Sequence, residues 1–586
     1  APASSSWRCT PGPPPPPGRP APPLPTRAPL WFSRGAMPAP DSSRWLRRAW
    51  ALALAAVAVF LIVGAFEPFR ANWGDPWSDG NALTAGRYFA QDGFVATRFT
   101  PILDVGPLGP DSLRYTHYPP LPDLVAGVVQ RVIGVGHLPA HRLLALACSA
   151  LALVFLYRYL RALWSEAIAA LAVLVIASNL LWLQYADTVH HIPLYSVSGY
   201  GCLWAGLAWL DGARRRALVG VAVGGYFCFL ASYDLYFFLS VMVPATVWLR
   251  GGSVWRGRGR AFVLAFGLAG LASIATKNLL AIWALGVDGW RADLVFQFFE
   301  RATNAHARSY KQIMGEVMFW RLWRFGSPIA LAAIGVQVIS VIDWLRGRPP
   351  LVSPRPLVLL AGGLPFLFVF SQLAVEQYHP LLLVLPFAAV AIAAMVCAVW
   401  ARARALAALL VAGYLGWQAW GVATFHKTFF APADVAGIQA ALVGDRHPFL
   451  LTNMVVDGPI RFLFHRHMFA LTVDPVDLVQ TVELVGLREA FEELGADSPI
   501  TIAQLRHLRP YMFDKEMYVF FGAARQPGWV SRPDTYRATW GRRFDLVDRQ
   551  LDAALADVGR VVYQSATMTV RSVTLADVER AQRARL

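Results

Sequence analysis

The chain reads as a polytopic α-helical membrane protein with a small α/β domain at its C-terminal end. Three observations predict this class. The 586 residues are 56% hydrophobic and only 15% charged, with a mean hydropathy of +0.43, whereas soluble chains carry closer to a quarter charged residues. The apolar residues fall in blocks long enough to cross a bilayer, which takes roughly 20 residues per helix. The basic residues sit in short clusters between those blocks, and mixed charge with short apolar runs returns only near residue 425.

The formal charge of +16 would suggest nucleic acid in a soluble chain. Arginines spaced between apolar blocks instead follow the bias of positive residues toward the cytoplasmic face. No nucleic-acid module signature accompanies them. The five cysteines, Cys9, Cys148, Cys202, Cys228 and Cys397, contain no CxxC pair, so neither a zinc motif nor a redox motif is indicated. The C-terminal region has no cysteine and cannot be stapled by disulfides.

Residues 1–43 are rich in Pro, Ala and Ser, with prolines from Pro13 to Pro17, a composition that builds no packed core and predicts a disordered tail. Residues 1–36 precede the first methionine, Met37, and read as a mis-assigned start or an added extension. The membrane domain then covers 44–424. Its first span, Ala49–Phe66, is uncharged and follows Arg44, Arg47 and Arg48, which puts the N-terminus in the cytoplasm and the next loop outside. Arginine pairs and clusters at 158–161, 214–216, 250–260, 346–348 and 402–404 recur one hairpin apart. If all are cytoplasmic, the outer turns are Tyr185–His191, Tyr233–Asp234, Val287–Arg324 and Glu376–His379, and about eleven spans of ordinary length result. Residues 425–586 alternate short apolar runs (Phe449–Leu451, Tyr518–Phe521, Val561–Tyr563, Thr567–Val570) with helical patterns (Asp434–Leu442, Val476–Leu494, Leu546–Val558), the signature of an α/β domain. The same arginine pattern places it outside the membrane.

The first outer loop, 67–141, is the most informative stretch. Trp73–Pro122 holds five aspartates, Asp75, Asp79, Asp92, Asp104 and Asp111, with Arg87, Arg98, Arg114 and His117. Gly80–Asp92 reads as a short helix with Leu83, Tyr88 and Phe89 on one side. Asp79 at its start fits either a helix cap or a general base at the membrane face. Pro119–Ile133 is apolar but short and opens on two prolines, so it reads as a helix lying in the interface. The aromatic cluster before it, Tyr115 to Tyr118, fits interfacial anchoring and substrate stacking equally.

Three further features could carry chemistry. The turn Tyr185–His191 holds Asp187, His190 and His191. Adjacent histidines on a turn are more often surface residues than ligands, and the sequence assembles no three or four ligands for a metal. Lys277 stands in an apolar segment, where a cation is costly unless it is paired, snorkels or serves function. The loop Val287–Arg324 reads as one or two amphipathic helices and adds Arg301 and Arg308, with aromatic residues that suit a headgroup-level surface.

The order of these motifs resembles the GT-C glycosyltransferases. An acid soon after the first span is followed by Ala85-Gly86-Arg87-Tyr88-Phe89, Tyr118-Pro119-Pro120-Leu121, His141-Arg142-Leu143 and Gln377-Tyr378-His379-Pro380. The pattern is most similar to family 39, the protein O-mannosyltransferases, and to the lipid A aminoarabinose transferases, over roughly Ala49–Leu249. That resemblance implies an inverting transfer of a sugar from a polyprenyl-phosphate carrier to an acceptor hydroxyl of a protein, lipid or polysaccharide on the outer face. It makes Asp79 the base and Asp187 the group that orients acceptor or sugar. Arg142, Lys277, Arg301, Arg308 and His379 would neutralise the departing phosphate, and Tyr88, His117, Tyr118, His190, His191 and Tyr378 would complete the substrate site. No resident cofactor is implied, and with a cationic clamp no metal is required. The chain departs from the pattern at Gly80, where the family commonly has a second acid. The competing class is a transporter or flippase of an anionic or lipid-linked substrate, which would normally show internal repeats and helices broken at mid-membrane; the sequence shows neither.

Overall fold

The computed structural model describes residues 43–67, 69–71, 74–110, 112–295, 321–370, 378–428, 431–453, 457–470, 488, 491–492, 498–506, 549 and 551–585. Arg301, Arg308, the Pro-rich stretch before residue 43, the run Tyr518–Phe521 and most of Val476–Leu494 lie outside these residues.

Helix α1 spans Ser43–Ala65, and the two-residue strand β1, Arg70–Ala71, follows it. Helix α2 covers Pro76–Gln91 and α3 covers Leu121–Ile133, the two short helices expected in the first loop. Both have proline in their first turn, where its missing N–H is harmless and its fixed φ suits the helix. The membrane helices α4 (Leu138–Leu163), α5 (Glu166–Ala177), α6 (Leu180–Tyr185), α7 (His191–Leu210), α8 (Arg215–Ala231), α9 (Asp234–Leu249) and α10 (Gly257–Val295) come next. Helix α10 breaks at Gly286, whose φ of 74° is open to glycine and strained for other residues. After the undescribed stretch, a π-helical turn at Leu322–Gly326 leads into α11 (Ser327–Leu345) and then α12 (Leu357–Val369). A 3₁₀ turn at His379–Leu383 leads into α13 (Leu385–Trp400), and α14 covers Arg404–Phe425.

Among the described residues four helical stretches are long and apolar enough to cross a bilayer alone: Leu138–Leu163, Gly257–Val295, Trp323–Leu345 and Arg404–Thr424. Five shorter apolar helices stand among them, and the chain is a multi-pass membrane protein. One large apolar core joins α4, α5, α7, α9 and α13 through residues such as Tyr159, Leu203, Phe238 and Phe387. Other helices carry exposed apolar side chains, including Val219 on α8, Leu268, Leu271 and Leu279 on α10 and Leu409 on α14, as lipid-facing surfaces do.

The helices alternate in a way that positions the site. The arginine clusters lie in the last turns of α4 and just beyond the ends of α7, α9, α11 and α13. Asp79, Arg142, His191, Asp234 and His379 each stand at or near the start of α2, α4, α7, α9 and the 3₁₀ turn. In α4, α7, α9 and the 3₁₀ turn with α13, the candidate residues and the arginines thus occupy opposite helix ends.

Beyond α14, strand β2 (Lys427–Thr428) pairs antiparallel with β1, so α1 and α14 end side by side. His426 Nε2 lies 2.9 Å from a Glu67 oxygen at the same point. The C-terminal region contains α15 (Pro432–Leu442), β3 (Phe449–Thr452), α16 (Asp457–Phe464), β4 (His467–Ala470), β5 (Ile500–Leu505), β6 (Arg560–Gln564), β7 (Met568–Val573) and α17 (Leu575–Arg585). Its five strands form one mixed sheet in the order β4-β3-β5-β7-β6, parallel from β4 to β5 and antiparallel beyond. The fully buried strand β5, ITIAQL, is central to it.

This sheet does not hang free of the membrane region. Phe69, Leu83, Ala126 and Val189 share a core with Ile438, Leu450, Ile460, Phe462 and Val570. Arg461 donates to the Leu103 carbonyl at 2.8 Å, and His467 Nε2 lies 3.1 Å from Asp104 Oδ1. The first loop and the C-terminal region therefore form a continuous layer over the starts of the helices.

Candidate active site

Asp79 stands in the first turn of α2 and is not its cap. The cap is Asp75, which accepts from Ser78 N at 3.2 Å and from Ser78 Oγ at 2.9 Å. That leaves the Asp79 carboxylate for another use. It is 5% exposed, and Oδ1 accepts the backbone N–H of His190 at 3.1 Å. Burial pushes its pKa up to about 8; the Arg142 charge pulls it down, the neighbouring Asp187 and Asp75 push it up again, and the His190 N–H pulls it down. A carboxyl poised near neutrality in a crowded site is what general-base chemistry uses.

Asp187 is 2% exposed and close enough to Asp79 for the two charges to interact. Arg142, near the start of α4, lies over the Phe69 ring, 5.9 Å from its centroid. Its Nη1 donates to the carbonyls of Gly64 at 3.3 Å and Glu67 at 2.5 Å, which ties the end of α1 to the start of α4.

Tyr118 joins the first loop to the next turn. Its ring stacks on His191, with centroids 5.8 Å apart and planes at 13°, and on Tyr233 at 5.7 Å, and meets His190 edge-on at 6.0 Å. Tyr233 in turn donates its hydroxyl to the His117 carbonyl. His117 Nδ1 lies 2.7 Å from Asp293 Oδ1, and Thr116 donates to Asp293 Oδ2 at 2.8 Å, anchoring this segment to the end of α10. Lys277, buried on α10, lines a small cavity with Thr116, Tyr118, Pro120 and Leu280.

His191 Nδ1 lies 3.0 Å from His190 Nε2. On its other side, His191 Nε2 is 3.4 Å from Asp234 Oδ2, and His379 Nε2 is 3.1 Å from the same oxygen. Tyr185 meets the His379 ring edge-on at 6.1 Å.

The structure thus brings Asp79, Asp187, Arg142, His190, His191, Tyr118 and His379 into one neighbourhood, with Lys277 on a cavity beside Tyr118. Two expected residues point elsewhere. Tyr88 lies nine positions along α2 from Asp79, about 13 Å of helical rise, and donates to the Gly106 carbonyl at 2.7 Å. The Tyr378 ring packs on the Arg321 guanidinium, 4.7 Å away, and edge-on to Phe325. Asp234, Asp293 and Tyr233 join the neighbourhood without having been singled out in the sequence. Asp234 left two signals: it stands in the expected outer turn Tyr233–Asp234, and it is the sole charged residue of α9, DLYFFLSVMVPATVWL.

No family model and no curated protein matches the chain by sequence. Its fold is nonetheless similar to solved structures. The crystal structure of ArnT from Cupriavidus metallidurans bound to undecaprenyl phosphate superposes with a TM-score of 0.53 at 14% identity, covering 91% of this chain and 98% of that one. The Archaeoglobus fulgidus oligosaccharyltransferase tethered with an acceptor peptide gives 0.47 at 12% identity, covering 80% and 70%. ArnT is a GT-C membrane glycosyltransferase. The chain has the GT-C fold.

Proposed function

We propose that this chain is an inverting glycosyltransferase that moves a sugar from a polyprenyl-phosphate carrier to an acceptor hydroxyl. The observation that carries the reading is the buried Asp79 carboxylate, freed from capping by Asp75, with a pKa pushed up to about 8 beside Asp187 and Arg142. The undecaprenyl phosphate held by the similarly folded ArnT supports the choice of donor.

In this reaction the acceptor oxygen attacks the anomeric carbon from the face opposite the phosphate. Its proton passes to Asp79, and the bond from the anomeric carbon to the phosphate oxygen breaks with its electrons leaving on the carrier phosphate. Lys277 and Arg142 meet the charge that develops there, with Arg301 and Arg308 as further cations for the same role. Asp187 orients the acceptor or the sugar, and Tyr118 packs against it. The sugar is a hexose or pentose. The enzyme works in the bacterial cell membrane with its N-terminus in the cytoplasm. The first loop and the C-terminal region face outward, where nucleotide sugars are absent and a lipid-borne donor is needed.

The test is transfer by the full-length protein in membranes supplied with a labelled polyprenyl-phosphate sugar, read as release of the carrier phosphate. Wild type should release it and Asp79→Asn should not. An Asp79→Asn enzyme with full transfer would sink the assignment.

A further inference from the structure

We propose that His191, Asp234 and His379 form a binding site for one divalent transition-metal ion of the zinc class. The three residues are far apart in sequence and reach one point because each opens a helical element. His191 is the first residue of α7, Asp234 the first of α9 and His379 the first of the 3₁₀ turn. Their exposures are 1%, 1% and 4%, and their ligand atoms all lie within 4.8 Å of one another.

The spacing fits a shared cation as well as it fits hydrogen bonding. Ligands at 2.0–2.1 Å from a tetrahedral zinc stand about 3.3 Å apart. The two imidazole Nε2 atoms stand 3.4 and 3.1 Å from Asp234 Oδ2. Both nitrogens thus converge on one Asp234 oxygen, with all three side chains buried. Two imidazole nitrogens and a carboxylate oxygen packed this closely in the interior would be satisfied together by a cation at their centre.

The outer contacts agree. A ligating histidine usually donates its second ring N–H to a neighbour, which fixes the tautomer and leaves the other nitrogen's lone pair for the metal. His191 Nδ1 lies 3.0 Å from His190 Nε2, which fits that role, and the Tyr118 ring stacks flat on His191. Two imidazoles and one carboxylate suit zinc, cobalt or manganese and leave at least one position open for an exogenous oxygen. Sequence order hid the set, since only His191 stands beside another candidate ligand in the chain.

The test needs no sugar donor, so its outcome is separate from that of the transferase reading. Full-length protein in detergent is stripped with a chelator, incubated with cobalt(II), desalted, and measured for bound metal and for its visible spectrum. One cobalt per chain is expected in wild type and in the control His447→Ala. Asp234→Ala and His191→Ala should lose it while remaining monodisperse. His379→Cys should retain the ion and gain a thiolate-to-cobalt charge-transfer band, which ties that position to the metal directly. A monodisperse wild-type protein that takes up no cobalt or zinc overturns the proposal. So does a His379→Cys protein whose bound cobalt shows no thiolate band.

Discussion

Gly80 and Gly458 meet backbone against backbone. A Cβ added at Gly80 would fall 2.1 Å from the Gly458 carbonyl carbon and 2.4 Å from its oxygen and from Pro459 N. A Cβ at Gly458 would fall 2.3 Å from the Trp77 carbonyl oxygen. Helices α2 and α16 can approach this closely only because both positions lack a side chain. The contact gives a physical reason for the departure at position 80: a second acid next to Asp79 has no room there. Gly80→Ala, and more so Gly80→Asp, should destabilise the protein by about 1–3 kcal/mol through overpacking. The measurement is the thermal unfolding midpoint in detergent. A Gly80→Asp protein as stable as wild type would mean that the two helices part readily.

Arg87 makes the same contact polar. Its Nη1 lies 2.9 Å from His465 Nδ1, and its Nη2 donates to the Phe462 carbonyl at 2.8 Å. Hydrogen bonds from a charged donor contribute about 1.5–3 kcal/mol. Arg87→Met keeps much of the stem and removes both bonds. Hydrogen exchange within 457–470 should then speed up by about one to two orders of magnitude, at 1.4 kcal/mol per tenfold, while exchange in α8 stays unchanged. Unchanged protection over 457–470 would show that apolar contacts alone hold the layer together.

These contacts mark the limit of what the sequence made legible. Apolar blocks and basic turns carry the membrane class, because hydrophobic length and charge placement are local properties of the chain. The first helix of the loop was readable as Gly80–Asp92 from its apolar side, the second as Pro119–Ile133 from its two prolines, and the β6–β7 hairpin from its short apolar runs. The capping residue of α2 was not readable: Asp75 and Asp79 both precede a helical pattern, and only the backbone geometry separates them. Asp234 escaped notice because its partners, His191 and His379, come from other helices. Docking of the C-terminal region on α2 was equally hidden, since it rests on two glycines, which carry no chemical signal. Tyr88 is named through the family resemblance at Ala85–Phe89, and its hydroxyl donates to the Gly106 carbonyl.

The raised pKa of Asp79 makes transfer pH-dependent. Burial favours the neutral carboxyl, so below about 8 the base is mostly protonated and inactive. The rate should climb about tenfold per pH unit up to that value and level off above it, since each pKa unit corresponds to a tenfold ratio of the two forms. Asp79→Asn should remove this limb and lower the rate by about 10²–10⁴, the usual share of a general base. The check is the pH profile of carrier-phosphate release under single-turnover conditions. A flat profile from pH 6 to 9 would remove Asp79 from the proton-transfer step.

Lys277 separates binding of the donor from the chemistry at Asp79. Its ammonium is buried on α10 beside a cavity shared with Thr116, Tyr118 and Pro120, and Asp293 is the charge nearest in effect. Asp293 is already engaged by Thr116 and His117. The lysine therefore has charge to spare for an anion entering the cavity. Lys277→Met preserves the length and apolar stem while deleting the charge. Losing a charge-assisted contact of about 1.5–3 kcal/mol should raise KM for the polyprenyl-phosphate sugar about tenfold or more, at 1.4 kcal/mol per tenfold. Asp79→Asn should instead leave donor binding intact and stop turnover. Lys277→Arg should restore part of the affinity, because the charge rather than the lysine itself is required. If Lys277→Met bound donor as wild type does, the phosphate would have to be held by Arg142 and the cations of the loop around Arg301 and Arg308.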